Sequence, residues 1–284
     1  MTIGTAETTT AAAEASVDPY AEADAASPVR FLYRLNPLAK LAAPAPAMLL
    51  LVFVRDAATP AAFLALAYAV LLMGVRLTRR LALTLFVALP AGVLVIGLGF
   101  SVWTDPTRIG DPGTPVAQLG GWVLTSGMLA VGYATAFRLG AIIALSLIVG
   151  LSTTAPDLAR SFVQQLRVPY RIGYTALAAF RFVPRFGHEL DVIRQAHRVR
   201  GAHGGRGPFA AIARWSGYVV PLLAGAIRHA ERVALAMDAR AFGAYPDRTE
   251  RHLVAWRVRD TVFVAAFVAV SAALFWLLFP WGLG

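Results

Sequence analysis

Five apolar stretches lie along the chain, four of them separated by short polar segments and the last preceded by a long one. Each is near the ~20 residues that an α-helix needs to cross the hydrocarbon core of a bilayer. The first two are short, and the fourth is too long for one straight span and carries Arg138 in its middle. That stretch is therefore either an interfacial segment followed by a span or a long tilted helix. The five lie at residues 38–54, 60–75, 81–103, 122–152 and 261–281.

Composition agrees with a membrane location. Of the 284 residues, 58% are hydrophobic and 15% are charged, whereas soluble domains are about 45–50% apolar and about 25% charged. One water-soluble core of this size cannot bury that excess, so the bilayer must solvate much of it. We therefore expect an all-α, polytopic membrane protein with about five transmembrane helices in the cell (inner or plasma) membrane.

Basic residues are distributed unevenly among the connections between the spans. Three flank the start of the first span, three lie between the second and third, and residues 153–257 hold 16 Arg against seven acidic residues. The connections at 55–59 and 104–121 hold one Arg each. Because cytoplasmic connections are enriched in Arg and Lys, the N-terminus and residues 153–257 are predicted to be cytoplasmic and the C-terminus external.

Residues 1–29 differ in composition from the rest of the chain. They contain five acidic residues, no basic residue and few large apolar ones, which is typical of disorder. They also lack the basic segment and apolar run of a signal peptide. We expect a disordered tail at 1–29, a membrane domain with spans one to four at 30–152, a cytoplasmic or interfacial helical domain at 153–257, and a last transmembrane helix at 258–284.

The long basic segment is patterned as three helices. The first follows Thr154, a suitable N-cap, carries an apolar stripe at four-residue spacing and ends before Pro169. A basic amphipathic helix in the membrane interface and an ordinary helix packed on its neighbours explain this pattern equally well. The second is expected at 170–200, with a bend at Pro184, and the third at about 211–241. A breaker cluster separates these two, namely Gly201, Gly204, Gly205, Gly207 and Pro208.

Two arginines, Arg200 and Arg240, fall at or near the C-termini of the second and third predicted helices, before glycine-containing turns. A cation there offsets the partial negative charge of the helix end by roughly 0.3–1 kcal/mol. In a chain with 26 basic residues, two such positions are not unusual. On physical grounds alone, helix capping is therefore a sufficient explanation for both.

Four segments, taken in order, resemble the transmembrane (T) components of energy-coupling-factor transporters, which serve uptake systems for cobalt, nickel, biotin and other vitamins. The resemblance covers about residues 30–280, and the long middle segment and the two arginine motifs are specific in combination. The segments are RLNPLAKL, DLARSFVQQLRVPYRIGYTALAAFRFVPRF, RQAHRVRGA and RHAERVALAMDARAFGA.

The resemblance implies a fold and a set of partners. In that family, a membrane part of several helices is joined to a cytoplasmic coupling domain in which two long helices cross. Each of these helices ends in a short motif, typically Ala-Arg-Gly, that docks into a groove of one of two ABC-type ATPase subunits. The matching positions here are Val199, Arg200 and Gly201, and Ala239, Arg240 and Ala241.

Both motifs keep the arginine and depart from the family pattern at one residue. Because Ala is costlier than Gly in a left-handed helix cap, docking through Arg200 is better supported than docking through Arg240. The resemblance also implies a separate substrate-binding membrane (S) subunit, beneath which apolar faces of the coupling helices would shift. Internal packing is the alternative role for the candidate contact residues, which are Leu177, Phe180, Val183, Val219, Leu222 and Leu223.

Other chemistry finds little support in the sequence. Cysteine is absent, which excludes thiolate metal sites and Cys nucleophiles, and Lys40, the only Lys, does not lie in a P-loop. The five histidines show no H-E-x-x-H spacing, and no paired carboxylates lie within a span. The arginines of 153–257 alternate with apolar residues beside the bilayer, which favours the positive-inside effect over nucleic-acid binding.

These observations predict a non-enzymatic coupling subunit without catalytic residues, cofactor or metal, whose partners are two ATPase subunits, an S subunit and the lipid bilayer. ATP hydrolysis is expected on the separate ATPase subunits. A stand-alone permease or channel is the alternative, and a membrane enzyme with an unrecognised site is a third. The sequence leaves the transported substrate open.

Overall fold

The computed structural model describes residues 31–105, 113–119, 122–201, 208–245, 250 and 252–279. The predicted tail at 1–29 and most of the predicted breaker cluster lie outside these residues. The chain divides into two compact units, which we term the membrane unit (Met1–Leu158 with Ala255–Gly284) and the coupling unit (Ala159–Val254).

Most of the described chain is helical. In chain order the helices are α1 Pro37–Ala42, α2 Ala45–Phe53, α3 Ala58–Gly74, α4 Arg79–Trp103, α5 Ser126–Ser152, α6 Ala155–Gln165, α7 Tyr170–Val199, α8 Pro208–Ala239 and α9 Val258–Leu278.

Three helices of the membrane unit, α4, α5 and α9, are 25, 27 and 21 residues long and apolar enough to cross a membrane. Two shorter apolar segments, Pro37–Phe53 and Ala58–Gly74, precede them. These five segments coincide with the five predicted spans, including the two that were expected to be short. The prediction of a polytopic helical membrane protein is confirmed.

The fourth predicted span begins later than its apolar pattern suggested. A strand β1, Pro115–Leu119, pairs antiparallel with a strand β2, Trp122–Thr125, and α5 starts only at Ser126. The Trp-Val-Leu-Thr run of β2 suits a strand because aromatic and β-branched residues pack well on a pleated surface. Thr125 then caps α5, its hydroxyl accepting from the Met128 amide at 3.4 Å. At roughly 40 Å, α5 still exceeds a hydrocarbon core of about 30 Å, and tilting accommodates such an excess.

One turn of α4 is wider than an α-helical turn. Thr84–Ala88 forms a π turn immediately before Pro90, which has no amide hydrogen to donate back along the helix. The carbonyl of Leu85, five residues before Pro90, accepts instead from the hydroxyl of Tyr68 in α3. A side chain of the neighbouring helix thus satisfies a backbone group that would otherwise be unpaired in the bilayer.

Small residues allow α4 and α5 to approach closely. A Cβ atom added to Gly132 of α5 would overlap Ser101 Oγ and would lie 2.5 Å from the Gly97 carbonyl oxygen of α4. A Cβ atom added to Gly140 would lie 2.7 Å from a methyl group of Val93. Close backbone contact through small residues is a common basis of helix packing in membranes, where lipid removes the hydrophobic driving force between helices.

A cluster of polar side chains is buried where α1, α5 and α9 meet. Asn36, Lys40 and Asp260 are 4%, 2% and 1% exposed. The Lys40 ammonium donates to the Ser152 carbonyl at 2.6 Å, at the C-terminal end of α5. The Asp260 carboxylate accepts from the amides of Asn36, at 2.8 Å, and Arg257, at 2.7 Å. Lys40 is therefore part of the interior, whereas its position in the sequence suggested a charge flanking the first span.

The predicted helices of the basic segment are present, with small differences at their ends. The Thr154 hydroxyl accepts from the Asp157 amide at 3.3 Å, so the predicted N-cap of α6 is confirmed. Helix α7 continues through Pro184. Helix α8 begins at Pro208, three residues before its predicted start, because proline is well tolerated in the first turn of a helix.

Within the coupling unit, α7 and α8 pack as an antiparallel pair. The rings of Phe182 and His229 lie 3.9 Å apart between centroids, and those of His197 and Tyr218 lie 5.3 Å apart. The later residue of α7 contacts the earlier residue of α8, so the two helices run antiparallel. At 30 residues, α7 is roughly 45 Å long.

Candidate functional site

Arg200 is the C-cap of α7. Its amide donates to the Ala196 carbonyl at 3.1 Å, which continues the helical pattern by one residue. Gly201 follows with a φ of +69°, and its amide donates to the Arg198 carbonyl at 3.2 Å. A glycine in the left-handed conformation is a common way to end a helix, because it has no Cβ to clash with the preceding turn.

Arg240 occupies the equivalent position at the end of α8. Ala241 follows with a φ of +55°, its amide donates to the Asp238 carbonyl at 2.9 Å, and the Phe242 amide donates to the Met237 carbonyl at 3.0 Å. These are the two hydrogen bonds of a Schellman motif. The resemblance implies glycine at position 241, and alanine was expected to be costlier there; Ala241 nevertheless adopts the left-handed cap.

The side chains of both arginines are exposed, and Val199 is 89% exposed. Within the part of the chain that the structure describes, neither guanidinium group has a hydrogen-bond or ion-pair partner. Both groups are thus available to a partner protein. In both tips, by which we mean residues 199–201 and 239–241, the residue after the arginine has a positive φ.

The tips lie at opposite ends of the α7–α8 pair. The antiparallel contacts bring the C-terminus of α8 to the first turns of α7, where the Arg171 guanidinium donates to the Gly243 carbonyl at 2.7 Å. Arg200 is at the other end of α7, roughly 40 Å from there along the helix axis. Two partner sites, or two partner subunits, are needed to engage both tips at once.

Residues that sequence analysis did not identify surround the second tip. The Tyr170 hydroxyl donates to the Tyr245 carbonyl at 2.8 Å, and the Tyr174 hydroxyl donates to a Glu250 carboxylate oxygen at 2.6 Å. The Phe242 ring makes edge contacts with both tyrosine rings. No local pattern in the sequence signals these contacts, because the partners are more than 60 residues apart.

The predicted contact residues for a second membrane subunit lie on both helices of the pair. Phe180, Val183, Val219 and Leu223 are exposed, whereas Leu177 and Leu222 are half-buried. Exposed apolar side chains on two adjacent helices are compatible with a partner surface, and no contact within the structure tests the assignment.

Two histidines of α7 and α8 have aromatic packing partners. His197 contacts Tyr218, and His229 contacts Phe182. His203 lies outside the described residues. Among the residues that the structure describes, no group of three or more histidine or acidic side chains is arranged to hold a metal ion.

Comparison with known protein families shows which family the chain belongs to. The sequence model of the CbiQ family, described as cobalt transport proteins, matches residues 28–251. This chain belongs to the CbiQ family. The match includes α1 to α8 and both arginine tips, so these features lie within the part shared with the family.

Relatives of this CbiQ-family chain include energy-coupling factor transporter transmembrane proteins. The one from Staphylococcus aureus is 30% identical over 53% of this chain and 59% of its own length. The one from Thermotoga maritima is 34% identical over 40% of this chain and 45% of its own length. A putative ABC transporter ATP-binding protein of Bifidobacterium longum is 30% identical over 57% of this chain, and the match covers 22% of that protein. The chain thus matches about half the length of the two transmembrane relatives.

Proposed function

We propose that this CbiQ-family chain is the transmembrane coupling subunit of an ATP-driven uptake transporter of the energy-coupling-factor type. The observation that carries the proposal is the pair of exposed arginine caps at opposite ends of the α7–α8 pair. A subunit that engages two partners at once needs two such ends. Membership of the CbiQ family supports the same function.

The proposed partners at the tips are two ABC-type ATPase subunits, one for each tip. A guanidinium group stays charged and can hold two acceptors at once even when partly buried, which suits docking into a groove. As the ATPase pair closes on ATP and opens after hydrolysis, the tips would move with their grooves. The Bifidobacterium longum relative supports this pairing because its matching segment belongs to a chain named as an ATP-binding protein.

A third proposed partner is a separate substrate-binding membrane subunit. Movement of α7 and α8 would reach it through their exposed apolar residues, with Phe180, Val183, Val219 and Leu223 as the proposed contacts and Leu177 and Leu222 supporting them. In this scheme residues 153–257 face the cytoplasm, ATP is hydrolysed on the partner subunits, and the chain itself needs no catalytic residue or cofactor. The proposed substrate class is a vitamin or a transition-metal ion.

Affinity purification of the chain with its ATPase subunits tests the docking proposal. The double substitution Arg200→Glu and Arg240→Glu reverses the charge at both tips and is expected to reduce the recovery of ATPase by about tenfold or more, as for central interface arginines. The matched control is Arg181→Glu with Arg228→Glu, which reverses two exposed charges in the middle of α7 and α8. The control should recover ATPase at the wild-type level.

Retention of ATPase by the tip variant at the wild-type level would refute docking through these arginines.

Reconstitution into proteoliposomes distinguishes the proposed coupling subunit from a stand-alone permease. Proteoliposomes that contain only this chain should show no uptake, and uptake should require the ATPase subunits, a substrate-binding subunit and ATP. Uptake by the chain alone would favour the permease.

A further inference from the structure

Both tips place a residue with a positive φ directly after the arginine, but the residue differs. The position after Arg200 is Gly201, for which a positive φ carries no steric cost. The position after Arg240 is Ala241, whose φ of +55° brings its Cβ close to its own backbone. The second tip is therefore intrinsically less stable than the first and needs support from elsewhere in the fold.

The first two turns of α7 supply contacts at that point. The Arg171 guanidinium donates to the Gly243 carbonyl at 2.7 Å, two residues beyond Ala241. Gly243 has a φ of +92°, and a Cβ atom added there would lie 3.0 Å from Arg171 Nη2. The absence of a side chain at Gly243 thus lets the arginine approach the backbone that leaves the tip.

Phe242 connects these contacts to the tip itself. Its amide closes the Schellman motif by donating to the Met237 carbonyl at 3.0 Å. Its ring packs edge-on against Tyr170 at 5.8 Å and Tyr174 at 6.2 Å between centroids. Displacement of Phe242 from the tyrosines would therefore weaken the hydrogen bond between its amide and the Met237 carbonyl.

The same tyrosines also hold the chain further on. The Tyr170 hydroxyl donates to the Tyr245 carbonyl at 2.8 Å, and the Tyr174 hydroxyl donates to a Glu250 carboxylate oxygen at 2.6 Å. Three residues of α7, at positions 170, 171 and 174, therefore contact four positions between 242 and 250. A surface hydrogen bond is individually weak, but contacts that share one rigid helix are lost together.

We propose that Tyr170, Arg171 and Tyr174 are positioning residues that hold the Arg240 tip in its docking geometry and replace the support that a glycine would provide at position 241. The effect on docking rests on the proposed function. The effect on the tip itself is a property of this chain alone and can be measured separately.

Hydrogen–deuterium exchange on the full-length chain in detergent or nanodiscs measures the order of both tips. Arg171→Ala is expected to accelerate exchange of the Ala241 and Phe242 amides by roughly fivefold, the effect of losing one hydrogen bond, and to leave the Gly201 amide unchanged. Arg181→Ala, which removes an exposed arginine further along α7, is the matched control and should change neither tip. Equal exchange in Arg171→Ala and the wild type would overturn the proposal.

Rescue by glycine tests the second half of the proposal. Adding Ala241→Gly to Arg171→Ala removes the steric cost at the cap and should return the exchange at residues 241–242 to the wild-type rate. ATPase binding, measured as Kd for the purified ATPase pair, should weaken severalfold in Arg171→Ala and recover in the double variant. Failure of Ala241→Gly to restore exchange would contradict the compensating role.

The two arms also separate this inference from the proposed function. If the wild-type protein does not bind the ATPase pair, the docking proposal fails, but the exchange result still decides whether the three positioning residues order the Arg240 tip. If exchange changes and is rescued while ATPase affinity stays constant, the positioning residues order the tip and their role in docking is refuted.

Discussion

The membrane unit and the coupling unit place charged side chains differently. In the membrane unit, Lys40 and Asp260 are buried and bond to backbone groups of other helices or helix ends. In the coupling unit, the ion pairs Arg185–Glu189 and Asp191–Arg194 are exposed, and α7 and α8 meet through aromatic rings. Buried polar contacts have no substitute when they are broken, whereas water replaces exposed ones. Single substitutions should therefore cost much in the membrane unit and little in the coupling unit.

The largest effect is expected from Asp260→Ala. It leaves the amides of Asn36 and Arg257 without their acceptor in the interior, and two charge-assisted hydrogen bonds of this kind contribute about 3 kcal/mol or more. Thermal unfolding in detergent should show a clear loss of stability. The matched control in the coupling unit is Asp191→Ala, which removes an exposed partner of Arg194 and should cost less than about 0.5 kcal/mol. Equal losses would remove the contrast between the units.

A steric effect of somewhat smaller size is expected from Gly132→Val. The new side chain would meet Ser101 and the Gly97 carbonyl of α4, so the two helices would have to separate. Overpacking of this kind costs about 1–3 kcal/mol. Gly150→Val is the matched control in the same helix, since a Cβ atom there has no neighbour within 4 Å. The same unfolding measurement should place the control near the wild type, and a loss as large as that of Gly132→Val would refute the close-contact explanation.

In the coupling unit, Phe182→Ala should have a moderate and local effect. Its ring contacts both His229, at 3.9 Å, and Phe186, at 5.1 Å, and such pairs are worth about 0.5–1.5 kcal/mol beyond the area they bury. We expect faster hydrogen exchange in the middle of α7 and α8 and unchanged exchange in α4 and α5. Val183→Ala, at a neighbouring exposed position, should leave exchange unaltered. Exchange that accelerates throughout the chain would show that the two units unfold together.

The smallest effect is a pH dependence at the same contact. Partial burial against Phe182, together with Arg185 and Arg232, lowers the pKa of His229, and Glu189 opposes the shift. Because the folded state disfavours the charged imidazole, stability is complete above the unfolded pKa of about 6.5 and decreases as the pH falls towards the lower folded value. An NMR titration should find the His229 pKa below about 6.5. His229→Gln should abolish the pH dependence of the protection factors for exchange in α7 and α8, that is, of the exchange rates relative to the intrinsic rates at each pH, and its persistence would assign the effect to another group.

Sequence patterns were sufficient where the controlling interactions are local. The apolar runs predicted the five apolar helical segments, Thr154 was recognised as a helix cap, and the C-terminal ends of α7 and α8 were expected within two residues of where they occur. The apolar pattern at 122–152 left open whether a separate segment precedes α5, because an apolar run of four residues fits a strand as well as a helix. The π turn of α4 was missed, since it depends on a hydroxyl from another helix.

The sequence by itself determined that the chain is a helical membrane protein and that two arginines follow the last residues of two long helices, because hydrophobicity and helix capping act over a few residues. Only the tertiary structure decided that Lys40 is buried against Ser152, that Asp260 bonds to Asn36, 224 residues away, and that Arg171 supports the tip with an alanine in its cap. These contacts depend on which helix ends meet in space. Chain folding sets that proximity, and no pattern of neighbouring residues encodes it.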